Sequence, residues 1–366
     1  MAADKTVPPP PPPAPKPGID WANLDLTKHL PVNGHVETRF RLSTQTWTEP
    51  TLVTDPNITV SGICPGLNYG QQCYEGLKAY RQTGPDGDSS IAVFRPQFHA
   101  ARMGRSAAAV CLPPPPEPLL LDCIRMAVAA NAEYVPPTES GGFLYIRPVL
   151  FGASPGLPLG PCEESVLAVY VHPARAYHGI HGVRGVVCDE FDRAAPRGTG
   201  GFKIGGNYAP VWRHAAKAAK MGYQLTLHLD SRTNEFVEEF ATSGFLGHRM
   251  ADDRDVLVVP ESKNAIESAT SDSLLTLAKR EGWTIERKEL RFSDLHQLDG
   301  VIAVGTAAAA VPVIALDRLG TGEKFQFEGG DQSKLMQLAG IMVDIQKGQR
   351  EDTEGWCWEV TGFDEY

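Results

Sequence analysis

One lysine set in a run of glycines constrains this chain more than any other stretch: Gly198-Thr-Gly-Gly-Phe-Lys203-Ile-Gly-Gly-Asn-Tyr208-Ala-Pro210. Glycine permits backbone conformations closed to other residues and lets a ligand approach the main chain. A lysine that only solvates a surface has no need of Gly198, Gly200, Gly201, Gly205 and Gly206 around it. The residues after Asn207 predict a helix over Pro210–Met221, with proline accommodated in its first turn. Lys203 therefore sits on tight backbone between two regular elements, where reactive groups are often mounted.

The remaining text decides what such a loop serves. The chain has 366 residues, enough for two domains. A net charge of -10 argues against nucleic acid or an anionic membrane as partner, and no apolar run approaches the length of a membrane span. Seven scattered cysteines form no CxxC pair and no zinc-spaced cluster with histidine, so they read as reduced thiols of a cytosol-like compartment. Residues 1–18 are proline-rich and predict a disordered, extended tail. That tail lacks both an arginine-rich presequence pattern and an apolar signal core, so the expected location is cytoplasmic.

From Ile19 to His172 the pattern predicts a small α+β domain. Strands are expected at Thr38–Ser43, Tyr74–Arg81, Ile91–Phe94, Phe143–Pro148 and Ser165–His172, with a hairpin turn at Gly84–Gly87. Helices are expected over 97–110, carrying Arg102 and Arg105 one turn apart, and over Leu119–Tyr134. Residues 173–184 read as an interdomain linker whose His178 and His181 are polar surface rather than metal ligands. The second domain, 185–366, holds expected strands at Gly185–Asp189, Tyr223–Leu229, Glu235–Phe240, Val256–Val259 and Val301–Val304, and helices near Asp272–Glu281, Ser293–Leu298 and Ser333–Lys347.

Glu238 and Glu239 are neighbours on one of those strands, so their side chains point to opposite faces and the inward one needs a partner. The residues alone leave open which is inward. Ser268-Ala-Thr270-Ser271 precedes a helix, and Gly305-Thr306 follows a buried strand. Such hydroxyls and free N–H groups suit an anion, although simple N-capping explains the first cluster equally well. Arg102 either completes a phosphate site or pairs with a surface acid. A loop lysine, an inward carboxylate and a phosphate cradle are together the parts that pyridoxal 5'-phosphate requires.

The sequence resembles the branched-chain aminotransferases of the fold-type IV class of pyridoxal-phosphate enzymes, from about residue 30 to 360. The resemblance rests on Tyr74-Glu-Gly-Leu-Lys-Ala-Tyr80, Phe94-Arg-Pro96, Arg102-Met-Gly-Arg-Ser106, Tyr145-Ile-Arg-Pro-Val-Leu150, Arg193-Ala-Ala-Pro196, the Lys203–Pro210 block, Gly305-Thr-Ala307, and Ile345-Gln-Lys-Gly348 with Trp356. It implies an α/β (α+β) fold of two domains, the larger a mixed-sheet pseudo-barrel surrounded by helices. By the same resemblance Lys203 is the Schiff-base lysine and proton shuttle, and Glu239 pairs with the pyridine nitrogen. Arg102, Ala269, Thr270 and Thr306 hold the phosphate, with Arg193 nearby, and Tyr208 contacts the ring oxygen. Tyr69, Tyr74 and Tyr145 line the substrate pocket, the main chain at Thr306, Ala307 and Ala308 faces the substrate carboxylate, and the assembly is a homodimer. The implied activity is transamination of leucine, isoleucine or valine with 2-oxoglutarate.

The departures lie around that lysine rather than at it. Where the family commonly reads Glu-Val-Gly-Thr-Met-Asn, this chain reads Glu239-Phe-Ala-Thr-Ser-Gly244, and Ser271 stands for a common arginine. The redox CxxC of the mitochondrial mammalian members is replaced by Ala307–Ala310, and the 173–184 loop is unlike the usual one. The departures resemble divergent fungal members associated with secondary metabolism. Alternatives are a D-amino-acid or amine transaminase, an aminodeoxychorismate-lyase-like enzyme, or a non-catalytic protein of the same fold.

Overall fold

The computed structural model describes residues 10–84, 87–175, 182–306, 309–330 and 332–366. Two nine-stranded sheets organise them. The first is antiparallel and built from His35–Arg41 (β1), Thr46–Trp47 (β2), Thr51–Val53 (β3), Gln72–Tyr74 (β4), Leu77–Thr83 (β5), Ser89–Phe94 (β6), Phe143–Gly152 (β7), Glu164–Ala174 (β8) and one strand from the far end of the chain, Cys357–Glu359. The second is mixed: Val183–Val187 (β9), Leu225–Leu229 (β10), Val237–Phe240 (β11), Gly244–Ala251 (β12), Arg254–Pro260 (β13), Thr284–Lys288 (β14), Gly300–Gly305 (β15), Ala309–Arg318 (β16) and Glu323–Gln326 (β17). Its central β9 runs parallel to both β10 and β16, while β12, β15 and β16 pair antiparallel. The C-terminal strand, β18, therefore belongs to the first sheet, and the expected second domain of 185–366 is not one continuous unit.

Alternation of apolar residues places the cores. Along β7 every second residue is buried, as a strand with one covered face requires. Helices Pro96–Ala109 (α2) and Glu117–Ala129 (α3), which follow the four-residue Pro65–Asn68 (α1), cover that sheet with Met103, Ala107, Leu120 and Ile124. Trp212–Lys220 (α4) lies on β10, and Ala269–Arg280 (α5) and Lys334–Gln346 (α6) cover β12 to β16. Phe94 and Trp356 of the first half share one core cluster with Leu274, Leu338 and Met342 of the second, so the halves are joined by packing as well as by chain.

Three expectations are corrected here. The proline-rich tail is not free over its whole length: the Lys16 backbone N–H donates to Glu133 O at 2.7 Å, and its ammonium reaches Glu133 Oε1 at 3.0 Å and Tyr134 Oη at 2.8 Å. The 173–184 linker is strand at both ends, through Ala174 and from Val183; its two histidines lie outside the described residues. The strand expected over Tyr74–Arg81 is two strands broken at Glu75-Gly76, because the Glu75 side chain turns into the core and Tyr145 Oη occupies the space a Cβ at Gly76 would need. Strands β12, β14, β16 and β17 have no signal strong enough to read. Gly244, Gly247 and the Ala309-Ala310 pair disfavour strand locally, and tertiary pairing overrides them.

Candidate active site

A cavity of about 360 Å³ opens between the two halves, lined by Tyr74, Arg102, Tyr145, Lys203, Tyr208, Glu239 and Thr306 among others. Backbone bonds fix the lysine in it. The Lys203 N–H donates to Ser106 Oγ at 3.0 Å, and its carbonyl accepts from the Tyr74 N–H at 3.1 Å. The loop of the second half is thus stapled to β4 and α2 of the first. Close approach also explains the glycines: a Cβ at Gly201 would fall 2.7 Å from the Lys263 carbonyl oxygen. The ammonium donates to Tyr208 Oη at 3.0 Å and lies over the rings of Tyr74 and Tyr208, 4.7 and 5.1 Å from their centroids. Tyr74 and Tyr208 meet edge to face at 5.1 Å, a favourable aromatic geometry.

Strand alternation on β11 settles the choice between the two glutamates. Glu239 lines the cavity, whereas Glu238 turns away and accepts from Ser262 Oγ at 3.0 Å and Asn264 Nδ2 at 2.6 Å. Neither is solvated, since both are buried. Burial lifts the Glu239 carboxyl to about 7, against the pull of Arg193, whose Nη2 lies 2.6 Å from Oε1. Arg193 does not line the cavity. It stands behind Glu239 and donates to the carbonyls of Gly200 (3.3 Å) and Asn264, tying the lysine loop to the carboxylate strand.

Arg102 comes from the middle of α2 and lines the cavity, but it is already engaged: Nε and Nη2 donate to Glu75 Oε1 and Oε2, each at 2.6 Å, and Nη1 donates to the Glu267 carbonyl. Burial alone would raise the Glu75 carboxyl; Arg102 and His99 together hold it well below the usual carboxylate range. Ser268 caps α5, accepting from the Ser271 N–H at 3.1 Å, and lines the cavity with Thr306. Ala269 and Thr270, in the first turn, line a small adjoining cavity with Thr306, His99 and Lys78. Burial pulls the Lys78 ammonium down to about 7, and it lies 3.9 Å from the Phe143 ring centroid.

Of the expected residues, then, the cavity gathers Lys203, Arg102, Tyr208, Glu239, Thr306, Tyr74 and Tyr145. Ala307 and Ala308 lie outside the described residues. Tyr69 does not join the cavity; it follows α1 and is 49% exposed. Sequence reasoning missed Glu75, Ser106 and Arg147. Arg147 is two residues from Tyr145 on β7 and so shares its face. Its Nη2 donates to Tyr145 Oη at 3.0 Å, its guanidinium covers the Tyr74 ring at 4.7 Å, and its buried Nε has no partner among the described residues. The spacing Tyr145-Ile-Arg147 was the available signal.

A lysine, an opposed carboxyl poised near neutrality, and a cationic and hydroxyl-bearing end suit pyridoxal 5'-phosphate, and the orphaned Arg147 Nε suits a substrate carboxylate. Comparison with known proteins decides the class. The family model described as amino-transferase class IV matches residues 72–316. The chain belongs to the class IV aminotransferases. It is 42% identical over 345 residues to the aminotransferase poxL of Penicillium oxalicum, covering 93% of each chain. It is 41% identical over 350 residues to the branched-chain amino acid aminotransferase gloG of Glarea lozoyensis, covering 94% of this chain and 96% of that one. Among solved structures it resembles the branched-chain aminotransferase of Thermoproteus uzoniensis, with a TM-score of 0.71 at 25% identity, covering 85% of this chain and 97% of that one. The fold-type IV architecture expected from the motifs is borne out. As a class IV aminotransferase the enzyme depends on pyridoxal 5'-phosphate and takes amino-acid and oxo-acid substrates.

Proposed function

We propose that this aminotransferase moves the amino group of a hydrophobic L-amino acid, with leucine, isoleucine and valine as reference donors, to 2-oxoglutarate in a ping-pong cycle. The observation that carries the reading is Lys203 held between the Tyr74 and Tyr208 rings in a cavity that Glu239 also lines, with Arg147 beside Tyr145. Aromatic walls suit an apolar side chain, and the half-buried Arg147 guanidinium, which has no carboxylate partner among the described residues, suits the second carboxylate of the acceptor.

In this reading Glu239 holds the pyridine nitrogen, Tyr208 the ring oxygen, and Arg102, Thr306 and the first turn of α5 the phosphate. Bound pyridoxal phosphate supplies the electron sink for the pair left at the substrate Cα. With the cofactor bound, Lys203 Nζ would take the proton from the substrate Cα and hold it for return, and the 3.0 Å contact with Tyr208 would orient the amine for this work. Arg193 acts through Glu239 and the Gly200 carbonyl. Tyr74 and Tyr145, which line the cavity, would exclude water from it once substrate is bound. The homodimer and the cytoplasm remain part of the proposal. Ile63, Leu67 and Tyr69, in and beside α1 and exposed by 50, 67 and 49%, are apolar surface that a second copy would cover, which would return Tyr69 to a site. Among the described residues no helix is long and apolar enough to cross a membrane.

A second reading keeps the chemistry and changes the donor. Gly244 lines both the cavity and a neighbouring one of about 400 Å³ that Ser271 also lines, and a Cβ at 244 would lie 3.2 Å from Ser271 Oγ. Two departures from the family pattern thus meet at one wall. One experiment separates the readings. The purified chain is loaded with pyridoxal phosphate and its visible absorbance followed as single L-amino acids, then D-amino acids and amines, are added. Bleaching by leucine, isoleucine or valine, reversed by 2-oxoglutarate and absent in Lys203→Ala, is the expected result. Bleaching by other donors alone supports the second reading, and no absorbance change from any donor would sink both.

A further inference from the structure

We infer that Arg95 is a positioning residue for the phosphate end of the site, an inference that rests on the proposed phosphate role of Arg102 and the α5 first turn. Arg95 immediately precedes α2 in a left-handed conformation, φ 52° and ψ 46°, which an L-residue with a long side chain adopts only when its surroundings impose it. The contacts of its guanidinium identify those surroundings. Nη1 donates to the Ala269 carbonyl at 3.2 Å and to Ser273 Oγ at 2.8 Å, and Nη2 donates to Asp272 Oδ2 at 2.6 Å. The rings of Phe98 and Trp356 hold its faces at 4.9 and 5.2 Å, and its backbone N–H donates to the Trp356 carbonyl at 2.7 Å.

Arg102, on the same helix, donates to the Glu267 carbonyl. One helix therefore grips a single short segment, 267–273, with two guanidiniums: Arg102 before the Ser268 cap and Arg95 after it. Between the two grips lie the N–H groups of Ala269 and Thr270, which precede the helix ladder and have no partner in it. The spacing between Arg102 and those N–H groups is what a phosphate would read, and Arg95 fixes it. Trp356 extends the device to the C-terminus, because the same residue stacks on the guanidinium and packs edge to face on Phe94 at 5.7 Å.

The test measures how strongly the full-length apo chain prefers pyridoxal phosphate over pyridoxal, which lacks the phosphate. Arg95→Ala is expected to weaken pyridoxal phosphate about tenfold while leaving pyridoxal unchanged, the loss typical of one misplaced charge-assisted contact. Arg95→Lys should recover part of the preference, and Trp356→Ala should lose part of it. The rise in melting temperature that inorganic phosphate gives the wild type should shrink in the same order. A variant that loses both ligands equally, or keeps the wild-type preference, would overturn the role of Arg95. A wild-type chain with no preference for the phosphorylated ligand would overturn the reading of the site along with it.

Discussion

Two carboxylates lie buried at this site, each against an arginine, yet their environments drive them in opposite directions. Glu75 takes two bonds from Arg102 and one from His99, whose Nδ1 is 2.7 Å away, and accepts from the Gly76 N–H at 3.2 Å as well. Glu239 has one close contact to Arg193 and two long ones, of 3.3 Å, from the Ile266 N–H. Arg193 divides itself among Glu239 and two backbone carbonyls, whereas two of the nitrogens of Arg102 go to Glu75. Burial penalises both carboxylates; at Glu75 the Arg102 and His99 charges and their hydrogen bonds outweigh it, whereas at Glu239 Arg193 does not. The first pair is a structural lock that holds Arg102 in place. The second leaves a carboxyl near neutrality, free to answer a cation arriving in the cavity.

That contrast can be broken experimentally. Glu75→Gln should show the largest effect: removing one partner strands the buried Arg102, a loss of about 3–5 kcal/mol, read as a drop in chemical-denaturation stability at neutral pH. A variant as stable as wild type would dissolve the distinction. Glu239→Gln should do the reverse, keeping most stability while turnover falls about a hundredfold, the scale of a lost charge partner at a reacting centre. Stopped-flow half-reactions would show it, and full turnover would remove Glu239 from the cofactor. Arg147→Gln should raise the KM for 2-oxoglutarate about tenfold with little change for a hydrophobic donor, and equal effects on both substrates would reassign it. The mildest test is pH. Glu239 sits above its ordinary value of 4.5, so its contribution to apo stability is complete below 4.5 and is lost as pH climbs to about 7. Glu75 is held below 4.5, so its contribution is present above that value and lost on acidification. Wild-type minus variant stability curves for Glu239→Gln and Glu75→Gln should therefore slope in opposite senses.

How much of this was legible in the sequence follows from how local each constraint is. Lys203 was legible because its glycines mark close backbone packing within one short segment, and the helix after it came with them. Strands β1, β6, β10 and β13 announce themselves by alternation or β-branched runs. The choice of Glu239 over Glu238 needed the family resemblance, since adjacent strand residues are interchangeable until the sheet's two faces are known. Glu75, Arg95 and Arg193 were harder still: each is defined by partners that come from far along the chain, Glu267 for the Arg102 that Glu75 holds, Ala269 and Asp272 for Arg95, and Glu239 for Arg193. Tyr69 shows the opposite limit. The family resemblance placed it in the pocket, while the exposed position beyond α1 leaves it on the surface of the single chain.

The strand Cys357–Glu359 completes the edge of a sheet whose other members are all made before residue 175. During synthesis the outer edge of β6 must therefore stay uncovered until residues 357–359 have been made. Trp356 arrives with that strand and seats the Arg95 guanidinium. Assembly of the cofactor end is consequently a late event, and a chain interrupted between Lys203 and Trp356 would carry the reactive lysine without the grip that makes it useful.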